Sequence, residues 1–298
     1  MVSSGPRMLD LDLIVSASLE LAPLPATVQR LSELMHDKEI DLRRIAQIVA
    51  LDEALTGRIL RTANSALYAT KLPCKTVRAA VVRLGSGVTL SYALGGGVRN
   101  SLSRAIPEYG LEEGALWRHS VAAAFAAELI RQTVRKVHVP EEAYAAALLH
   151  DIGKLVLARF LPRDMREPLA RARGRAIPLI EAETLVLGVH HGELGEVIAR
   201  KWRLPPTITL PIRHYHKPTE ATELLAGTND GSVASVVCDV VHLADAVAHV
   251  AHPDDCGDER GGEFDIVAAN RLGLDTDDFE RITKKTQYKF EETLALYG

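Results

Sequence analysis

Cysteine is almost missing from this chain. Cys74, Cys238 and Cys256 stand far apart, and no two of them form a C-x-x-C pair. This excludes a disulfide framework and a cysteine zinc site, and it fits a reducing compartment. Aromatic residues make up only 5% of the 298 residues, while Ala and Leu are abundant, which favours helices over strands. No run of Lys or Arg stands out, and the net charge is -4. Nucleic-acid affinity rests largely on neutralising phosphates, so nucleic-acid binding ranks last among the function classes. No apolar stretch approaches the ~18 residues a membrane span needs. The opening MVSSGPRMLDLDL lacks a positive region followed by an apolar one, so no signal peptide is expected. By elimination the expected location is cytoplasmic, with no membrane partner.

What is present reads as helix after helix. Hydrophobic residues make up 47% and charged residues 25%, the balance of a globular chain with a sizeable core. Leu24, Val28, Leu31 and Leu34 recur at three-to-four spacing, with Pro25 near the helix start. Leu42, Ile45, Ile48 and Val49 make a second amphipathic set; Leu55, Ile59, Leu60, Ala63 and Leu67 make a third. Residues 77–84 and 88–98 read as two short helices separated by Gly85 and Gly87. Pro107, Gly110 and Gly114 then loosen the pattern. They set the expected boundary between an N-terminal helical subdomain, residues 1–108, and a second helical domain, residues 109–298. In that second part the spacing predicts helices over 116–134, 141–160, 178–187, 193–202, 206–215, 232–250 and 277–296, with a loop over 251–263. The expected fold class is all-α.

Eleven histidines carry the chemical signal. His150 and Asp151 are adjacent in LLHDIGKLVL, read as the middle of a helix. Neighbouring helical side chains project about 100° apart, so both can reach an ion lying between them. Imidazole and carboxylate are both suitable ligands for Zn, Mn or Fe. His119, in LWRHSVAAAFAAEL, and Asp245, in VVHLADAVAHV, are polar residues set among apolar ones, where burial demands a partner. Two readings stay open: a metal site built by all four, or a buried histidine hydrogen-bonded to Asp151 or Asp245 with no ion. Gly153 either eases a close helix approach or is incidental. Asn64 and Ser65 have no base near them in sequence to activate the hydroxyl, and read as hydrogen-bonding residues that join the two halves. His190 and His242 read as surface or packing residues.

The order His119, His150-Asp151, Asp245 resembles that of the HD superfamily of metal-dependent phosphohydrolases. Further segments narrow the resemblance to the HDOD family, the HD-related output domain. They are LAPLPATVQRLSEL, LDEALTGRILRTANSALY and AVVRLG in the N-terminal half, and LWRHS, LLHDIGKLVL, HHGELGEVIARKWRLP and IRHYHKP in the C-terminal half. Together they cover most of residues 20–250. The resemblance implies an N-terminal helical bundle packed on an HD-like helical domain. It implies a primary site for a divalent ion (Fe, Mn, Zn or Mg) at His119, His150, Asp151 and Asp245, with His191 and His216 placed to hold a second. It also implies that Lys154 contacts a substrate phosphate; a solvated lysine at a helix end is the alternative. Asp151 and Lys154 are the candidate catalytic residues.

The sequence departs from the family pattern in places. The double histidine usual before x-Pro is Tyr215-His216 here, with His214 displaced by one position. Nothing after His216 resembles the Gly-Tyr-Pro segment of cyclic-di-GMP phosphodiesterases. Asp52-Glu53 stands where Asp-Pro is common, a change expected to affect only a helix start. Whether the chain is an enzyme therefore stays open between two functions. The first, which the family resemblance favours, is a bacterial signal-transduction module with little or no catalysis. It would act without an attached sensor domain, on a signalling protein partner. The second is a phosphohydrolase acting on a nucleotide or another phosphate ester, its ion bringing the pKa of bound water from 15.7 to about 7.

Overall fold

A computed structural model describes residues 24–35, 41–65, 68, 72–161, 163–173, 177–228, 231–252 and 262–297. Among these residues the chain is all-α; Ile106 and Leu111 form an isolated bridge, and there is no strand. The N-terminal half holds α1 (Ala26–Leu34), α2 (Leu42–Ala50), α3 (Glu53–Ala63) and α4 (Val77–Leu102). Asp41 and Asp52 cap α2 and α3: their carboxylates accept the Arg43 N–H at 2.8 Å and the Leu55 N–H at 2.9 Å. Asp52 thus serves the helix start, as its position suggests.

α4 consists of two helical segments joined at Gly85, whose φ of 80° is open to glycine without strain. The separation expected at Gly85 and Gly87 is therefore a kink and not a loop. Glu141, from the second half, holds it by accepting the Gly87 N–H at 3.1 Å. Asn64 and Ser65, by contrast, do not join the halves. Asn64 Nδ2 donates to the Cys74 carbonyl at 2.9 Å, and its Oδ1 accepts the Cys74 N–H at 2.7 Å. Ser65 Oγ donates to the Thr62 carbonyl. The amide staples the chain between α3 and α4. The bridging falls instead to Glu141 and to Ser32, whose hydroxyl donates to the Arg203 carbonyl at 2.7 Å.

The second half continues with α5 (Ala115–Thr133), α6 (Ala143–Leu149), α7 (Gly153–Phe160), α8 (Arg163–Arg173), α9 (Leu179–Leu187), α10 (His191–Lys201), α11 (Pro206–His214), α12 (Pro218–Leu225), α13 (Gly231–Ala251), α14 (Ile266–Leu272) and α15 (Thr276–Tyr297). The single helix expected over 141–160 is two. The Ile152 N–H bonds to the Leu149 carbonyl and the Lys154 N–H to that of Asp151, both over three residues, so the chain turns at His150–Ile152. The hydrophobic period spans this break because both sides of it are buried. α8, α12 and α14 were not expected: α8 is strongly polar with Pro168 inside it, and the others are only eight and seven residues long. Within the expected 251–263 loop, residues 253–261, including Cys256, lie outside the described residues.

α5 and α13 pack against each other at the centre, and both are buried on most sides. α6, α11 and α15 surround them. α13 has the length and apolar composition to cross a membrane, which corrects the expectation that no stretch comes close. Of its most apolar window 67% is buried inside the fold, and it carries Asp239, Asp245 and His249, so it is the core helix of this bundle. Cys74 and Cys238 are free and buried.

Candidate metal centre

Three elements bring the centre together. α5 supplies His119, the turn between α6 and α7 supplies His150 and Asp151, and α13 supplies Asp245. His119 Nε2 lies 3.0 Å from Asp245 Oδ1, 3.3 Å from His150 Nε2 and 3.8 Å from Asp151 Oδ2. His150 Nε2 lies 3.4 Å from Asp245 Oδ1 and 3.5 Å from Asp151 Oδ2. Donor atoms that share an ion at roughly 2.0–2.2 Å stand about 3–3.5 Å from one another; His119, His150 and Asp151 come close to that spacing, and Asp245 Oδ1 reaches it with both imidazoles. His119, His150 and Asp151 are almost fully buried; Asp245 keeps 16% of its side chain exposed.

The surroundings prepare the donors. His150 Nδ1 is 2.6 Å from the Ala147 carbonyl, which can only accept, so Nδ1 carries the proton and the Nε2 lone pair faces the other three residues. His249, one turn beyond Asp245 on α13, donates through Nδ1 to the Asp245 carbonyl at 2.9 Å and lies 3.2 Å from Asp245 Oδ1. Burial opposes ionisation of Asp245, but His249, His119 and His150 hold its carboxyl well below the usual range. Burial likewise opposes ionisation of Asp151, yet Lys154 and the imidazoles of His150, His191 and His119 keep it well below that range. Lys154 is not a solvated helix-end residue. It is 4% exposed, and its ammonium donates to Asp151 Oδ2 at 2.6 Å. Burial would lower its pKa, but Asp151 outweighs burial and raises it.

His191, at the start of α10, and His216, just beyond α11, meet on the far side of Asp151. His191 Nε2 is 3.3 Å from Asp151 Oδ1 and 2.8 Å from His216 Nε2. Tyr215 is fully buried beside them: its hydroxyl donates to Asp151 Oδ1 at 3.1 Å and lies 3.2 Å from His191 Nε2. Among the described residues, the groups of three donors lying mutually within 4.8 Å are His119–His150–Asp151 and His119–Asp245–His249; His191 and His216 belong to neither. His214 does not take part in these contacts; burial and Arg213 lower its pKa.

His191 is held from behind by Glu183 of α9. Glu183 Oε2 accepts the ring Nδ1–H at 2.7 Å and the backbone N–H at 2.9 Å, and Oε1 accepts the Tyr109 hydroxyl at 2.6 Å. Burial alone would raise the Glu183 pKa, but His191 and the Tyr109 hydroxyl bring it below the ordinary value. Tyr109 sits in the short 3₁₀ turn Pro107–Tyr109, so the joint between the two halves is wired to His191. Tyr109→Phe leaves a buried carboxylate one donor short and is expected to lower stability by about 2 kcal/mol, read as a shifted urea midpoint at unchanged slope.

Sequence reasoning passed over His249, Glu183 and Tyr109, and met Tyr215 only as a departure from a double histidine. The Asp-x-x-x-His spacing of Asp245 and His249 places both on one helix face and was legible in α13. Glu183 and Tyr109 come from separate elements, and no local pattern marks them.

The structure is an all-helical body in which two imidazoles and two carboxylates from α5, the α6–α7 turn and α13 converge. The HDOD domain model matches residues 21–218, and the chain belongs to the HDOD family. An uncharacterised protein of Treponema pallidum (strain Nichols) is 24% identical over 206 residues, 68% of this chain and 39% of that protein. This chain thus spans about two-fifths of the length of that relative. Among solved structures, a candidate signal transduction protein from Marinobacter aquaeolei VT8 superposes with a TM-score of 0.67 at 22% identity, covering 98% of this chain and 62% of that one. A candidate phosphohydrolase from Shewanella amazonensis SB2B gives 0.62 at 23% identity over 95% and 94%. An HDOD domain protein of unknown function from Geobacter sulfurreducens gives 0.60 at 21% over 93% and 98%. These structural likenesses speak for the fold.

Proposed function

We propose that the chain is a regulatory module of bacterial signal transduction, working in the cytoplasm on a signalling protein partner. In this reading its His119–His150–Asp151–Asp245 cluster binds a divalent ion that stabilises the fold, with little or no hydrolytic turnover. Lys154 carries the reading. A lysine available to a substrate phosphate would have a free ammonium; here that ammonium is buried and committed to Asp151 Oδ2. Two imidazoles with two carboxylates suit Fe, Mn or Zn better than Mg, which prefers an all-oxygen shell. A bound ion of this kind supplies Lewis acidity and an acidified water. The chain's own residues supply orientation: Ala147 fixes the His150 tautomer, and Lys154 fixes the Asp151 carboxylate.

One feature favours the second reading, a phosphohydrolase acting on a nucleotide or phosphate ester: Asp245 keeps a partly exposed edge toward which a small ester could come. Loading the protein with Mn²⁺ or Fe²⁺ and offering nitrophenyl phosphodiesters and cyclic nucleotides separates the two. Ion at a hundred times its Kd is expected to stabilise the fold by about 2.7 kcal/mol. Turnover is expected to stay at the level of Asp151→Ala protein. Clear turnover that Asp151→Ala abolishes would establish the phosphohydrolase instead.

A further inference from the structure

The second histidine pair poses a distinct question of stoichiometry. Asp151 has two carboxylate oxygens pointing opposite ways: Oδ2 toward His119 and His150, Oδ1 toward His191. A carboxylate so placed can bridge two ions if both flanks are open. On the Oδ1 flank a side-chain hydroxyl is already within hydrogen-bond reach of both would-be donors. The Tyr215 hydroxyl sits 3.1 Å from Asp151 Oδ1 and 3.2 Å from His191 Nε2. An ion on that flank would need the same Asp151 Oδ1 and His191 Nε2 lone pairs that the phenol O–H already engages, so it would have to displace that hydrogen bond.

The ring cannot easily swing away. Tyr215 is 1% exposed, its ring lies 3.9 Å from that of His216 and meets the His150 ring edge-on at 5.0 Å. His191 and His216 are bonded to each other, their Nε2 atoms 2.8 Å apart, so one of those lone pairs is already used. Formal charge points the same way. Asp151, Asp245 and Glu183 are buried carboxylates, and Lys154 is a buried ammonium; one divalent ion brings this group to neutrality, and a second would leave two uncompensated positive charges in a buried site.

We propose that Tyr215 limits the centre to a single divalent ion, its hydroxyl standing in for the second ion between Asp151 Oδ1 and His191 Nε2. The inference rests on the metal reading of the four-residue cluster above. Residue 215 is then the position that sets one ion against two, and the Oδ1 flank is a hydrogen-bonded support for Asp151.

Manganese titration with electron paramagnetic resonance tests it on the full chain. Wild-type protein is expected to saturate at one Mn²⁺ per chain, with the spectrum of an isolated ion. Tyr215→His supplies a ligand in place of the phenol and is expected to take up two ions with an exchange-coupled spectrum. Tyr215→Phe removes only the hydroxyl and is expected to admit the second ion at higher Mn²⁺ concentration. Wild-type protein that saturates at two coupled ions overturns the role of Tyr215 even if neither variant folds. So do folded variants that both stop at one ion. Wild-type protein that takes up no ion refutes the metal reading itself, a different result from either.

Discussion

Asp151→Asn is expected to destabilise the metal-free protein by about 3–5 kcal/mol, the cost of removing one partner from a buried ion pair. The substitution keeps the side chain's shape and takes away its charge. The Lys154 ammonium, 4% exposed, then has lost the carboxylate 2.6 Å away. The melting midpoint should fall by roughly 10 °C, taking about 2–4 °C per kcal/mol for a chain of this size. Adding Lys154→Met should return most of the loss, because the charge left without its partner is gone, and a double-mutant cycle reads that coupling directly. The part of the effect that comes from the Lys154–Asp151 pair should be level from about pH 5 to pH 9. A carboxyl held below its ordinary value contributes stability above that value and loses it only as pH falls through the folded pKa. An ammonium held above its ordinary value loses its contribution only as pH rises through that higher pKa, and both limits lie outside the window. The variant should also fail to bind Mn²⁺ at concentrations that saturate the wild type.

Gly153→Ala is expected to cost roughly 3 kcal/mol through overpacking, and to weaken the centre as well. A Cβ on Gly153 would collide with the His191 carbonyl and crowd the Gly195 N–H, both backbone atoms that no side-chain rotation can move aside. α7 and α10 would have to separate, carrying His191 away from Asp151 Oδ1. The Gly153→Ala protein should therefore show a lower urea midpoint together with a displaced His191 ring resonance. A conservative change elsewhere on α7, such as Val156→Ala, should lower the midpoint and leave the ring resonance in place. The close approach of these two helices is thus part of how the fold places a histidine.

The fold class was open to reading from the sequence because α5, α11 and α13 are long or clearly bounded and their apolar period is plain. The break at His150–Ile152 was not, since residues on both sides of the turn are buried and the period runs through it. That break matters chemically: it turns Lys154 inward, where a continuous helix suggested a choice between solvent and a phosphate. His119, His150, Asp151 and Asp245 could be picked out as polar residues on apolar faces, and the structure brings them to one point. Glu183 and Tyr109 left no such mark. Their role depends on α9 and the 3₁₀ turn meeting behind His191, a juxtaposition set by packing between elements 74 residues apart in the chain. Tyr215 stood in view as a departure from a double histidine, but its hydroxyl's place between Asp151 and His191 is a fact of three dimensions.

In the proposed function, side chains from α5, the α6–α7 turn and α13 share one cation. Crystals grown with Mn²⁺ and measured at the manganese absorption edge address it most directly. An anomalous peak is expected within roughly 2.0–2.4 Å of His119 Nε2, His150 Nε2, Asp151 Oδ2 and Asp245 Oδ1. Manganese found only on surface carboxylates, with those four side chains still bonded to one another, would contradict it.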